Sequence, residues 1–124
     1  YRRQRQMCIR DSISTAAIHR RDDRPFTGHE GDYRVIPGDV EYGELAMTHS
    51  SVNFDRSAYQ QDVNVCLPLE HVRTLVASGD IGSAAGWHYS FMGSTAPQIM
   101  EQAAKEVSRL LLGDNVNLVI LIPV

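Results

Sequence analysis

The chain closes on Asn-Val-Asn-Leu-Val-Ile-Leu-Ile-Pro-Val, residues 115–124, and this run constrains the fold more than any other stretch. Leu118, Val119, Ile120, Leu121 and Ile122 follow one another without a polar residue, as in strands buried on both faces of a parallel sheet. The run is far too short to span a bilayer. Ahead of it Ile99, Met100, Ala103, Ala104, Val107, Leu110 and Leu111 recur at helical spacing, predicting a helix over 95–112 closed by Gly113. Thr95 and Gln98 read as its capping box, with Pro97 in the first turn. Helix, turn and apolar strand in that order are an α/β signature. Ligands of open α/β sheets sit just past the carboxyl ends of the strands. The sequence stops at that point, so the reactive group is expected beyond Val124.

The remaining elements are shorter. Residues 13–19 read as the downstream end of a strand, leaving His19 at its exit into a polar loop over 20–32 that holds Pro25, Gly28 and Gly31. His19 reads either as a solvated loop residue or as part of a site. Residues 33–36 are a brief strand ended by the turn Pro37-Gly38-Asp39, and residues 44–48 a second one. His49-Ser50-Ser51 follows directly, where a parallel sheet presents functional side chains and where ordinary surface loops also lie. Pro68 and Gly79 bracket a helix over 68–78 with Leu69, Val72, Leu75 and Val76 on one face. Cys66 stands just before it, readable as a small buried apolar residue or as a thiol acidified by the helix dipole. Residues 83–92 alternate as one strand, with Ala85, Trp87, Tyr89 and Phe91 toward the core and His88 and Ser90 on the opposite side.

Composition narrows the function. The 124 residues, 43% hydrophobic and 22% charged, suit one soluble globular domain. A net charge of −3 gives no electrostatic case for nucleic acid or for an anionic membrane. Residues 1–12, YRRQRQMCIRDS, hold four of the twelve basic residues and begin without methionine. They read as a non-native leader, leaving residues 13–124 as a partial α/β domain. Two cysteines, Cys8 and Cys66, in no CxxC and with no secretory signal, point to the cytoplasm. The five histidines, His19, His29, His49, His71 and His88, lack metal-ligand spacing, and no glycine-rich phosphate loop or hydrolase motif is present.

Several segments, taken together in order and spacing, carry a resemblance: Gly31-Asp-Tyr-Arg-Val-Ile-Pro-Gly-Asp39, Thr48-His-Ser-Ser51, Asp62-Val-Asn-Val-Cys-Leu-Pro68, Ile81-Gly82 and His88-Tyr-Ser-Phe-Met-Gly93. They resemble the selenoprotein B family of glycine, sarcosine, betaine and D-proline reductases, from about residue 13 to Val124. The resemblance implies a partial Rossmann-like (flavodoxin-like) three-layer α/β fold with a mainly parallel sheet, incomplete at both ends. It implies a selenocysteine or cysteine immediately after Val124, then two residues and a cysteine. It implies reductive C–N cleavage of an amino acid or betaine-like substrate, a pyruvoyl group on a partner reductase subunit, and a thioredoxin-type dithiol as reductant. Within the chain it leaves supporting positions: His49 and His88 as proton donors or orienting groups, and Ser50, Ser90 and His19 as substrate lining. The alternative is a non-catalytic α/β subunit-interaction module in which a partner chain completes the terminal strand.

Overall fold

The computed structural model describes residues 9–27, 30–49 and 57–124. In chain order the strands are β1 (Ile9–Ser14), β2 (Ile18–Arg20), β3 (Arg34–Pro37), β4 (Leu45–Met47), β5 (Ser83–Ala84), β6 (Trp87–Ser90) and β7 (Leu118–Ile122). The helices are α1 (Ser57–Gln61), α2 (Leu69–Ala77) and α3 (Pro97–Gly113). β1 is the centre of a five-stranded sheet, parallel to β7 on one side and to β5 and β6 on the other. β3 closes the outer edge antiparallel to β6. β2 and β4 form a separate antiparallel pair. The chain is thus an α/β unit with a mostly parallel sheet, as expected.

Val35 and Ile36, neighbours on β3, point to opposite faces and belong to different cores. On one face Tyr89, Phe91, Ala103 and Val107 pack with Ile13, Tyr33, Val35, Met100 and Leu111. On the other, Ile36 packs with Ala16, Ile18, Leu45, Cys66, Leu67 and Leu69. The α3 stripe is narrower than its sequence predicts: Ala103 and Val107 are buried, while Ile99 and Leu110 stay largely exposed.

Residues 13–19 are not one strand: the chain breaks at Thr15–Ala17, where Ala17 adopts φ 56 and leads into β2. Residues 83–92 are not one strand either. Partners Ile9↔Ser83 and Ile13↔Tyr89 show two extra residues opposite β1, and Ala85–Gly86 form the bulge. Trp87 lies outside the cluster under α3 and is 50% exposed. The capping box does not form, because the Thr95 hydroxyl donates to the Glu30 carbonyl (2.8 Å) and Ala96 takes the cap position. Gly113 remains helical, and the stop is Asn115 at φ 58, with Val116 N–H on the Leu111 carbonyl and Asn115 N–H on that of Leu112. The same bond pattern at α2 uses Gly79, as its sequence predicts.

β7 pairs with β1 alone among the described residues, leaving Leu118 48% and Leu121 70% exposed rather than buried on both faces. Residues 9–12, set aside as leader, are built into β1.

Candidate functional site

The carboxyl ends of β1, β6 and β7 meet at one rim, and backbone bonds hold it together. Phe91 N–H donates to the Ser14 carbonyl (2.9 Å), Thr15 N–H to that of Ile122 (3.1 Å) and Gly93 N–H to that of Thr15 (3.0 Å). Pro123 has no N–H and cannot extend a ladder. The next donor, Val124 N–H, goes to the Thr15 hydroxyl at 2.7 Å, and that hydroxyl faces the Val124 carbonyl at 3.4 Å. Gly93 has no room for a side chain, since a Cβ there would lie 2.7 Å from the Thr15 carbonyl oxygen and 3.0 Å from that of Val124. Gly93 is exposed and Val124 is 39% exposed, so the rim opens to solvent.

Behind the rim the small residues after β1 steer two more segments inward. Ala17, fully buried, donates to the Phe91 carbonyl (2.9 Å) and accepts from Thr48 N–H (3.1 Å), which brings the residue before His49 to the end of β1. A non-glycine residue at positive φ is sparsely populated and persists only where its surroundings fix it. The Ser90 hydroxyl accepts from Ile18 N–H at 2.8 Å, tying β6 to β2. His19 lies in β2 with its ring edge-on to Phe26. Its Nδ1–H donates to the Arg20 carbonyl (2.7 Å), which in the neutral ring leaves the lone pair on the buried Nε2, an atom without a hydrogen-bond partner among the described residues.

The predicted site residues therefore divide. His19, Ser90 and His49 gather around Ala17, all three buried, so neither histidine is the solvated loop residue its sequence allows. His88 sits two residues deeper on β6, its Nδ1 2.7 Å from Asp11 Oδ1 and 2.9 Å from the Ser12 hydroxyl. The Ser12 N–H points at both this Nδ1 (3.2 Å) and Asp11 Oδ1 (2.7 Å), which closes a buried Asp11–Ser12–His88 cluster. Ser50 lies outside the described residues. Cys66 is buried, and burial pushes its thiol up, so it is the apolar residue and not the activated one. No three histidine, cysteine, aspartate or glutamate side chains converge as metal ligands among the described residues. No helix among them is long and apolar enough to cross a membrane.

Thr15, Ala17 and Gly93 were not singled out by residue type. The usable signal was Gly93, directly after an aromatic strand, where a glycine marks close backbone approach as well as a break.

The description "glycine/sarcosine/betaine reductase selenoprotein B" matches residues 32–123. The chain belongs to this family. The matched span contains His49, His88, Ser90, Gly93 and all but the last residue of the rim's β7 segment. D-proline reductase subunit gamma of Acetoanaerobium sticklandii is 29% identical over 112 residues, covering 88% of this chain and 46% of that protein. The chain thus spans about half the length of the curated relative it matches. No solved structure matches.

Proposed function

We propose that this chain is part of a selenoprotein B-type reductase subunit whose intact form reductively cleaves a C–N bond in an amino acid or betaine-like substrate. The balance is two-electron: the C–N bond breaks, C–H and N–H bonds form, and a dithiol supplies both hydrogens and becomes a disulfide. The observation that carries the reading is the rim, where Thr15 holds Val124 by N–H and carbonyl beside the gap left by Gly93. A selenocysteine or cysteine joined there would stand at the carboxyl ends of three parallel strands, where α/β sheets do their chemistry. When present, that residue supplies a nucleophile ionised at neutral pH, with the cysteine three positions later as its redox partner.

The chain's own side chains serve this site in supporting roles. His19 offers an acceptor lone pair at Nε2, suited to a substrate ammonium or amine N–H. Ser90 and Ser50 are assigned to the polar lining of the substrate site. His49 and His88 serve as proton donors or orienting groups for the departing nitrogen, with His88 held in place by Asp11 and Ser12. A partner subunit carrying a pyruvoyl group, a thioredoxin-type reductant and a cytoplasmic setting complete the proposal.

The test is an assay of the full-length protein with its partner subunits, dithiothreitol, and D-proline, glycine, sarcosine or betaine in turn. Consumption of one dithiol per C–N bond cleaved supports the reading; no dithiol oxidation with any of the four removes it. The open edge of β7, with Leu121 70% exposed, favours a second reading as a subunit-interaction module. In that case the assay is silent and the edge is covered in the complex.

A further inference from the structure

We infer that Thr15 and Gly93 are positioning residues that fix the direction in which the chain leaves Val124, and hence the place of the reacting atom. The inference rests on the reading above, in that it takes the residue joined to Val124 to be the redox-active one. Its physical basis is the handover at Pro123. β7 pairs with β1 through backbone groups as far as the Thr15 N–H to Ile122 carbonyl bond. Proline then breaks the ladder, and a side chain replaces the strand. One hydroxyl accepts from Val124 N–H (2.7 Å) and faces the Val124 carbonyl oxygen (3.4 Å), restraining the chain on both sides of the Val124 Cα.

Threonine suits the task because its branched Cβ restricts χ1, so the hydroxyl is held rather than free to rotate. Valine has the same shape without the hydrogen bonds. Gly93 performs the complementary part. Its N–H pins the Thr15 carbonyl at 3.0 Å, and its missing side chain leaves the space in which Thr15 and Val124 meet. A Cβ at 2.7 Å from one carbonyl oxygen and 3.0 Å from another forces backbone apart, since neither neighbour is a flexible side-chain end. Displacing a reacting group by about 1 Å costs on the order of a hundred-fold in rate.

The experiment uses the full-length protein in its reductase complex and compares Thr15→Val, Thr15→Ser and Gly93→Ala. The expected result is a fall in kcat of roughly ten- to hundred-fold for Thr15→Val with KM within about two-fold. Thr15→Ser, which restores the hydroxyl, recovers most of the loss. Hydrogen exchange at the Val124 amide gives a readout independent of activity: protection is lost in Thr15→Val and kept in Thr15→Ser. If Thr15→Val does not fold, Gly93→Ala carries the test, with the same kcat loss and faster exchange at Val124. A wild-type kcat with unchanged exchange in a folded Thr15→Val overturns the inference. Iodoacetamide labelling followed by mass spectrometry separates the two failures. No alkylated selenocysteine or cysteine next to Val124 removes the underlying reading, whereas a labelled residue there with a wild-type kcat in Thr15→Val removes only the positioning role.

Discussion

The two faces of the central sheet are built on different principles. Beneath α3, Ile13, Val35, Tyr89 and Phe91 meet Ala103 and Val107 in an ordinary apolar core. On the other side β1 and β6 bury Ser12, Ser14, His88 and Ser90, each no more than 1% exposed, each bonded to a neighbour. Burying hydroxyls and an imidazole gains little unless every bond is made. The face that does so, next to the carboxyl rim, combines this buried polar layer with the packing of Ile36 against Ala16, Ile18, Leu45 and Leu69, whereas the α3 face is apolar throughout.

The comparison can be broken from either side. The largest effect is expected on the apolar face: Phe91→Ala lowers unfolding free energy by about 3–5 kcal/mol in urea titration. On the polar face Ser90→Ala removes the acceptor of Ile18 N–H and costs about 1–3 kcal/mol. If the serine change proves the more damaging, the buried polar layer contributes more to stability than the apolar packing beneath α3.

Tyr89 sharpens the contrast through pH. Burial first, then the charges of Asp11 and Asp114 and the nearby Tyr33, push its hydroxyl from 10.0 up to about 12. The unfolded chain releases this proton near pH 10 and the folded chain holds it until about 12. Its contribution is therefore complete below pH 10 and is lost as pH rises across that window. Tyr89→Phe should flatten the decline, measured as urea midpoints at pH 9, 10 and 11 (about one unit apart, chosen to span the lower pKa). The smallest effect concerns Cys66, which should react with a thiol reagent more than roughly ten-fold slower in the native chain than after unfolding. Equal rates in both states would place the thiol at the surface.

The long periodic elements were legible in the sequence and the small-residue turns were not. The α2 helix and its Gly79 stop follow from spacing and glycine chemistry, and β7 follows from its uninterrupted apolar run. The stop of α3 was misread because Gly113 is the obvious left-handed residue, while Asn115 adopts that conformation two positions later. Thr95 has the right spacing for a cap, but a carbonyl 65 residues away in sequence takes its hydroxyl. Nothing local announces that Arg34, 3% exposed, gathers the polar loop by donating to the carbonyls of Arg24, Pro25 and Tyr33 and pairing with Glu30. The burial of His19, His49, His88 and Ser90 follows from their position after or within strands. Thr15 and Gly93 depend on where three strand ends meet, which no single segment encodes.

The central claim is that the rim holding Val124 presents the redox residue of the intact protein. The direct measurement is mass-spectrometric sequencing of the native protein across residue 124 after alkylation. The account predicts an alkylated selenocysteine or cysteine bonded to Val124 with a second cysteine three positions on. A different residue after Val124, with neither selenium nor sulfur nucleophile within the next few positions, would contradict it.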